Sequence, residues 1–161
     1  MSTQVGALIQ AIGEKMETAF PDHSVIYGMP SPNGIRLPLG DTVRVHYMQE
    51  RGTFSGSQLS GPVIVSPVIS VTVETAYASD ATELSVQQAS MEIGADLRQA
   101  MQELVMAHVM GTAVIAAFAG QAIWITDYTL TPALNDIGAS QSVEAQTAEF
   151  TFRFSRNYEG R

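Results

Sequence analysis

The sequence contains no cysteine and one lysine, Lys15, among its 161 residues. The first absence excludes disulfides, thiolate nucleophiles and thiolate-bound zinc, so any metal site would have to use oxygen or histidine. Basic residues are scarce as a class: eight stand against sixteen acidic ones, a formal net charge of −8. A protein that grips nucleic acid through its phosphates needs the opposite balance. The acids are spread from Glu14 to Glu159 without a run, which describes a generally negative surface and not an acidic tail.

Long hydrophobic runs are also missing. The most apolar stretch, Gly111 to Ile125, is interrupted by glycine and glutamine and is shorter than the roughly 20 residues a membrane helix needs; it reads as a buried segment. The start, MSTQVGALIQAIGEKME, lacks a basic leader and places acids soon after its apolar positions. That argues against a secretory signal and for a cytosolic address. No internal repeat, linker or low-complexity tract divides the chain, and its apolar share of 45% can close one core, so residues 1–161 read as a single domain.

The chemistry-bearing patterns are absent as well. His23, His46 and His108 lie in different elements without ligand spacing, and no dinucleotide fingerprint, phosphate loop or nucleophile elbow occurs. His46 beside Arg44 on a polar strand face reads as a solvated pair before it reads as an anion site. Asp80 and Glu83 flank Thr82, a candidate helix N-cap where negative charge is stabilising for structural reasons. Glu92 and Asp96 stand four residues apart on a helix face turned to solvent. No catalytic, cofactor or metal residue is nominated, and the chain does not read as an enzyme.

What is present is periodicity. Val5, Leu8, Ile9, Ile12, Met16 and Phe20 recur at three- and four-residue steps, which predicts an amphipathic helix capped by Ser2 or Thr3 and ended by Pro21. A short strand follows within His23 to Met29. Thr42 to Met48 alternates, with Val43, Val45 and Tyr47 on the core face and Thr42, Arg44 and His46 on the other. Gln49 to Gly61 is polar with three glycines; it reads as a long flexible loop or the tip of an extended hairpin. Pro62 to Tyr77 is the clearest strand, with Pro67 marking an edge or a bulge.

From Glu83 the period becomes helical through Leu84, Ile93, Leu97, Met101, Leu104, Val105 and His108, with Gly111 as the stop; residues 111–119 read equally as helix or strand. Strands return at Ala122 to Thr131 and Val143 to Tyr158, around a turn-rich segment from Pro132. Phe150, Phe152 and Phe154 share the core face of the last strand. The class is α+β, in the order α-β-β-β-α-β-β, with both helices on one face of a mixed, mainly antiparallel sheet.

Seven residues are nominated as an interface. Arg51, Phe54 and Gln58 lie in the loop, which is expected to project and order on a partner. Trp124 and Tyr128 share a strand parity and belong to residue types enriched at protein contacts. Arg153 and Arg156, like Arg51, are scarce cations in an acidic chain and are expected to meet acids on a neighbouring subunit.

An N-terminal amphipathic helix, a strand group with a long polar loop, the helix ELSVQQASMEIGADLRQAMQELV and a closing strand EFTFRFSRNY together resemble the tail terminator and tail-completion proteins of long-tailed bacteriophages. The resemblance spans nearly the whole chain as an order of elements and rests on no signature residue. It implies a virion structural protein that forms a ring, usually of six subunits. The ring caps the tail tube, stops its polymerisation and offers a surface to the head connector. The implied partners are further copies of the chain, the major tail-tube protein and the head–tail connector, with DNA passing through unbound and no membrane. The implied place is the head-proximal end of the tail, after assembly in the host cytoplasm. A neck or head-completion connector fits the same features, and a small-ligand-binding α+β domain remains a rival of a different class.

Overall fold

Thr3 opens the first element of the computed structural model, which describes residues 3–28, 41–54, 62–78, 83–137 and 141–157. Its hydroxyl accepts from the Gly6 N–H at 2.9 Å, capping helix α1 (Gln4–Ala19). The helix ends at Phe20, whose N–H returns to the Met16 carbonyl just ahead of Pro21. Leu8, Ile12 and Met16 form its buried stripe, as their spacing predicts.

Five strands build one sheet: β1 (Ser24–Tyr27), β2 (Thr42–Phe54), β3 (Pro62–Ala78), β4 (Trp124–Ile137) and β5 (Gln141–Asn157), ordered β1-β2-β3-β5-β4. β1 runs parallel to β2 and every other pairing is antiparallel. Helix α2 (Glu83–Val109) and α1 lie against each other on one face of the sheet. Between helices and sheet sits a single core that includes Leu97 and Met101 from α2, Val43 and Val45 from β2, Ile69, Val71 and Val73 from β3, and Phe150, Phe152 and Phe154 from β5. The α+β class, the element order and the one-sided helix layer are therefore as the periodicities predict.

Several boundaries differ. Of the two readings of the polar segment after Met48, the extended hairpin holds for its first part: Gln49–Phe54 continues β2 and pairs with Val68–Val63. The apolar β3 gives this segment a ladder to complete, and backbone hydrogen bonding outweighs its polar composition. Residues 55–61, the rest of that loop, lie outside the described part. Pro132–Ile137 likewise continues β4 against Gln146–Gln141 instead of forming a turn. Pro67 is in a central strand, one residue-pair from the bulge at Met48, and the β3–β5 bridges pass from Val65↔Phe154 to Val68↔Thr151 without it. Its missing N–H accounts for a place where the ladder is already interrupted.

The run 111–125 is mostly exposed, not buried. Helix α2 stops as Gly111 takes φ +77, and a single 3₁₀ turn, Ala116–Phe118, follows. Of this run Phe118 and Ile123 are buried in the core, with Ile115 and Ile125 packed against it. The segment is also held by polar ties. Buried His108 accepts the Ile115 N–H on Nδ1 at 3.0 Å and donates from Nε2 to the Gln121 carbonyl at 2.7 Å. Gln121 in turn binds Gln4 and the Ser155 carbonyl, joining this segment to α1 and β5. Leu84, expected in the apolar stripe of α2, is exposed at the start of the helix.

Candidate protein interface

The sheet's two long margins carry the site. β1 covers only Thr42–Val45 of β2; beyond it Gly28, at φ +102, bonds the Val45 carbonyl through its N–H. From His46 to Phe54, β2 has no second strand partner among the described residues. At the opposite margin, β4 pairs with β5 alone. Unpaired strand edges are templates for further strands unless they are blunted.

Both margins expose large side chains. Tyr47 (40% exposed), Met48 and Phe54 (56%) line the β2 edge, while Trp124 (53%) and Tyr128 (43%) line β4. The alternation of β2 predicts Tyr47 in the core with Val43 and Val45. It does share their face, opposite Ile69, but it lies at the margin, where a groove of about 460 Å³ opens between the start of α1 and β2. Val5, Ile9, Val65 and Phe154 floor this groove and Glu50 stands at its side. Partial desolvation, then the nearby Glu50 carboxylate, raises the Tyr47 phenol above its ordinary pKa.

The nominated residues divide between the two faces. Trp124 and Tyr128 do not share one: a bulge at Thr126 shifts the β4 register, so Trp124 pairs with Arg153 on the face away from the helices. Tyr128 pairs with core-facing Phe150 and stacks on it at 6.2 Å. Arg98 of α2 lies over the Tyr128 ring, 5.9 Å from its centroid. Arg51 is exposed on β2 opposite Ser66, on the same face as Arg153 and Trp124. Phe54 points to the helix side, opposite Val63. Arg156 lies on β5 opposite Val63, with its side chain outside the described part, and Gln58 lies outside it altogether.

Nothing in the composition marks Tyr47, Met48 or Asp127 as interface residues. Alternation assigned Tyr47 to the core, and a bulge leaves no compositional mark. Helix α2 adds exposed Met106 and Val109 near its end, with Met110 and Val114 beyond.

His23 Nε2 meets the Thr75 hydroxyl at 3.1 Å and its ring stands edge-on to Phe20. His46 faces away from the helices, opposite Ser70. Glu92 and Asp96 are exposed on α2; Asp80 and Thr82 lie outside the described residues, as does the Glu83 side chain. Among the described residues no group of three or more His, Asp or Glu could hold a metal ion, and no helix is long and apolar enough to cross a membrane. No known protein-family model matches this chain, and no curated protein sequence matches it at a significant level.

Proposed function

We propose that this chain is a virion structural protein that assembles into a closed ring of copies, six in the arrangement its element order resembles, capping a phage tail tube and offering the head-attachment surface. One observation carries the reading. A single sheet presents two strand margins without partners among the described residues, with Tyr47 and Phe54 on one and Trp124 and Tyr128 on the other. Two different margins on one molecule make a heterologous contact, which generates a ring when the rotation closes. The net charge of −8 supports it, since a negative surface lets DNA pass without tight phosphate contact.

The experiment is particle mass over a concentration series, with negative-stain images of the same samples. Closed rings support the proposal; a monomer throughout removes it. A neck connector would also form rings, and arrest of tail-tube growth by added protein separates the two. The groove beside Tyr47 favours a second reading, a binding site for a small apolar ligand. A compound that raises the melting temperature by several degrees while the chain stays monomeric would support that one.

A further inference from the structure

The pairings number the sheet in rows that run from margin to margin, among them the two that flank the β2 bulge. On the helix side runs Tyr47, Ile69, Phe150, Tyr128; on the other face runs Gln49, Val68, Thr151, Asp127. Each row therefore begins on the open stretch of β2 and ends on β4. Both edges are also kinked at nearly the same height, β2 by the bulge between Tyr47 and Gln49 and β4 by the bulge between Ile125 and Asp127. A bulge bends and twists its strand, so both margins depart from a straight edge at nearly the same height.

Charge and side-chain type match as well. β2 offers exposed Arg51 and β4 offers exposed Asp127, both on the face away from the helices, where Trp124 flanks Asp127. Pro132, which would interrupt a new ladder, lies opposite Gln146, whose row passes through Val73 to Val43. At that height β1 already covers β2. The proline is thus kept out of the stretch that remains open.

We propose that copies of this chain join edge to edge, β4 of one adding to the open stretch of β2 of the next, in the register that sets Gln49 beside Asp127 of the partner subunit. This rests on the ring reading above and supplies its contact. Strand directions support it: β4 runs antiparallel to β2 within one chain, and rotation about an axis along the strands preserves that relation between chains. A closed ring has no rise per subunit, so each row meets its own height. Tyr47 then stands beside Tyr128 of the partner subunit on the helix side. Arg51 stands beside Trp124 of the partner subunit, near the partner's Asp127, combining a cation–π contact with an ion pair. The occupant is a second copy because both halves of the match are on this chain.

The absence of cysteine makes a direct test available. Gln49→Cys and Asp127→Cys are placed together in one chain and oxidised mildly at assembling concentration. Within a chain the two positions are three strand spacings apart, about 14 Å, too far for a disulfide. Every crosslink is therefore between chains. The expected result is a ladder of covalent oligomers ending at the ring number, with either single variant stopping at dimers. Thr53→Cys with Asp127→Cys, four residues out of register, is expected to give no ladder.

Rings seen by mass without the first ladder, or with an equal ladder from the second pair, overturn the register and leave the ring reading standing. Monomers throughout overturn both. A second readout needs no cysteine: the lone tryptophan, Trp124, sits on the joining edge. Its emission is expected to shift to the blue as the unmodified chain assembles, and an unchanged emission on assembly would contradict the contact.

Discussion

Tyr47 and Tyr128 stand at opposite ends of one row of the sheet, joined through Ile69 and Phe150. Both face the helix layer, yet both stay at least 40% exposed, because each sits on a margin strand. Tyr128 is held by Phe150 beneath and Arg98 above; Tyr47 borders an open groove. Tyr47, beside that open groove, contributes little to the folded monomer and is free to contribute to a contact.

Tyr47→Ala is therefore expected to change monomer stability by no more than about 0.5 kcal/mol, the usual range for surface substitutions. The same change is expected to raise the concentration needed for assembly at least tenfold. Denaturant melting and sedimentation velocity on the same variant measure the two effects. Equal loss in both would assign Tyr47 to the fold.

His108 is expected to behave in the opposite way. It is buried, and its two ring nitrogens satisfy the Ile115 N–H and the Gln121 carbonyl. His108→Ala leaves both groups without that partner, at about 1–3 kcal/mol for each that stays buried. Amide hydrogen exchange at Ile115 should become fast in the variant, while exchange in the β3–β5 ladder changes only with global stability.

The Lys15–Glu103 tie predicts a pH dependence. At 2.8 Å it joins the two helices, and hydrogen bonds from Lys15 and then Gln99 hold the Glu103 carboxyl below its ordinary value of 4.5. A depressed folded-state pKa means the contribution is present above the unfolded value and is lost as pH falls through the folded one. The stability gap between the wild-type chain and Glu103→Gln should thus be visible at pH 7 and close as the solution is acidified below about pH 4. Raised salt should narrow it at pH 7, because both groups are partly exposed.

Gly13 offers a test of packing. A Cβ there would collide with the hydroxyl end of Tyr27, which lies across α1. Burial first, then Glu17 and Glu14, raises the Tyr27 phenol above its ordinary value. Tyr27 is half-exposed and free to swing outward, while alanine favours the helix by about 1 kcal/mol over glycine. Gly13→Ala should therefore leave the melting temperature nearly unchanged and lower the Tyr27 pKa toward its free value, as NMR titration would show. A large loss of stability would mean that Tyr27 cannot move.

The parts legible in the sequence are those where burial imposes a period. Leu8, Ile12 and Met16 on α1, and Phe150, Phe152 and Phe154 on β5, repeat at the spacing their elements require and all reach the core. The margins were not legible for a physical reason. Gln49–Phe54 forms strand through backbone pairing, to which polar side chains are indifferent. The bulges at Met48 and Thr126 each insert one residue and reverse the faces beyond them. That is why Trp124 and Tyr128, two turns of the alternation apart, stand on opposite faces. Exposure of Tyr47 depends on β1 stopping at Gly28, a contact distant in sequence.

The measurement that tests the central claim most directly is the native mass of the purified chain across a concentration series. The account predicts one closed species at a fixed multiple of 17.3 kDa, six copies in the resembled arrangement, appearing as a ring with a central opening. A monomer at every concentration, or open polymers without a fixed number, would contradict it.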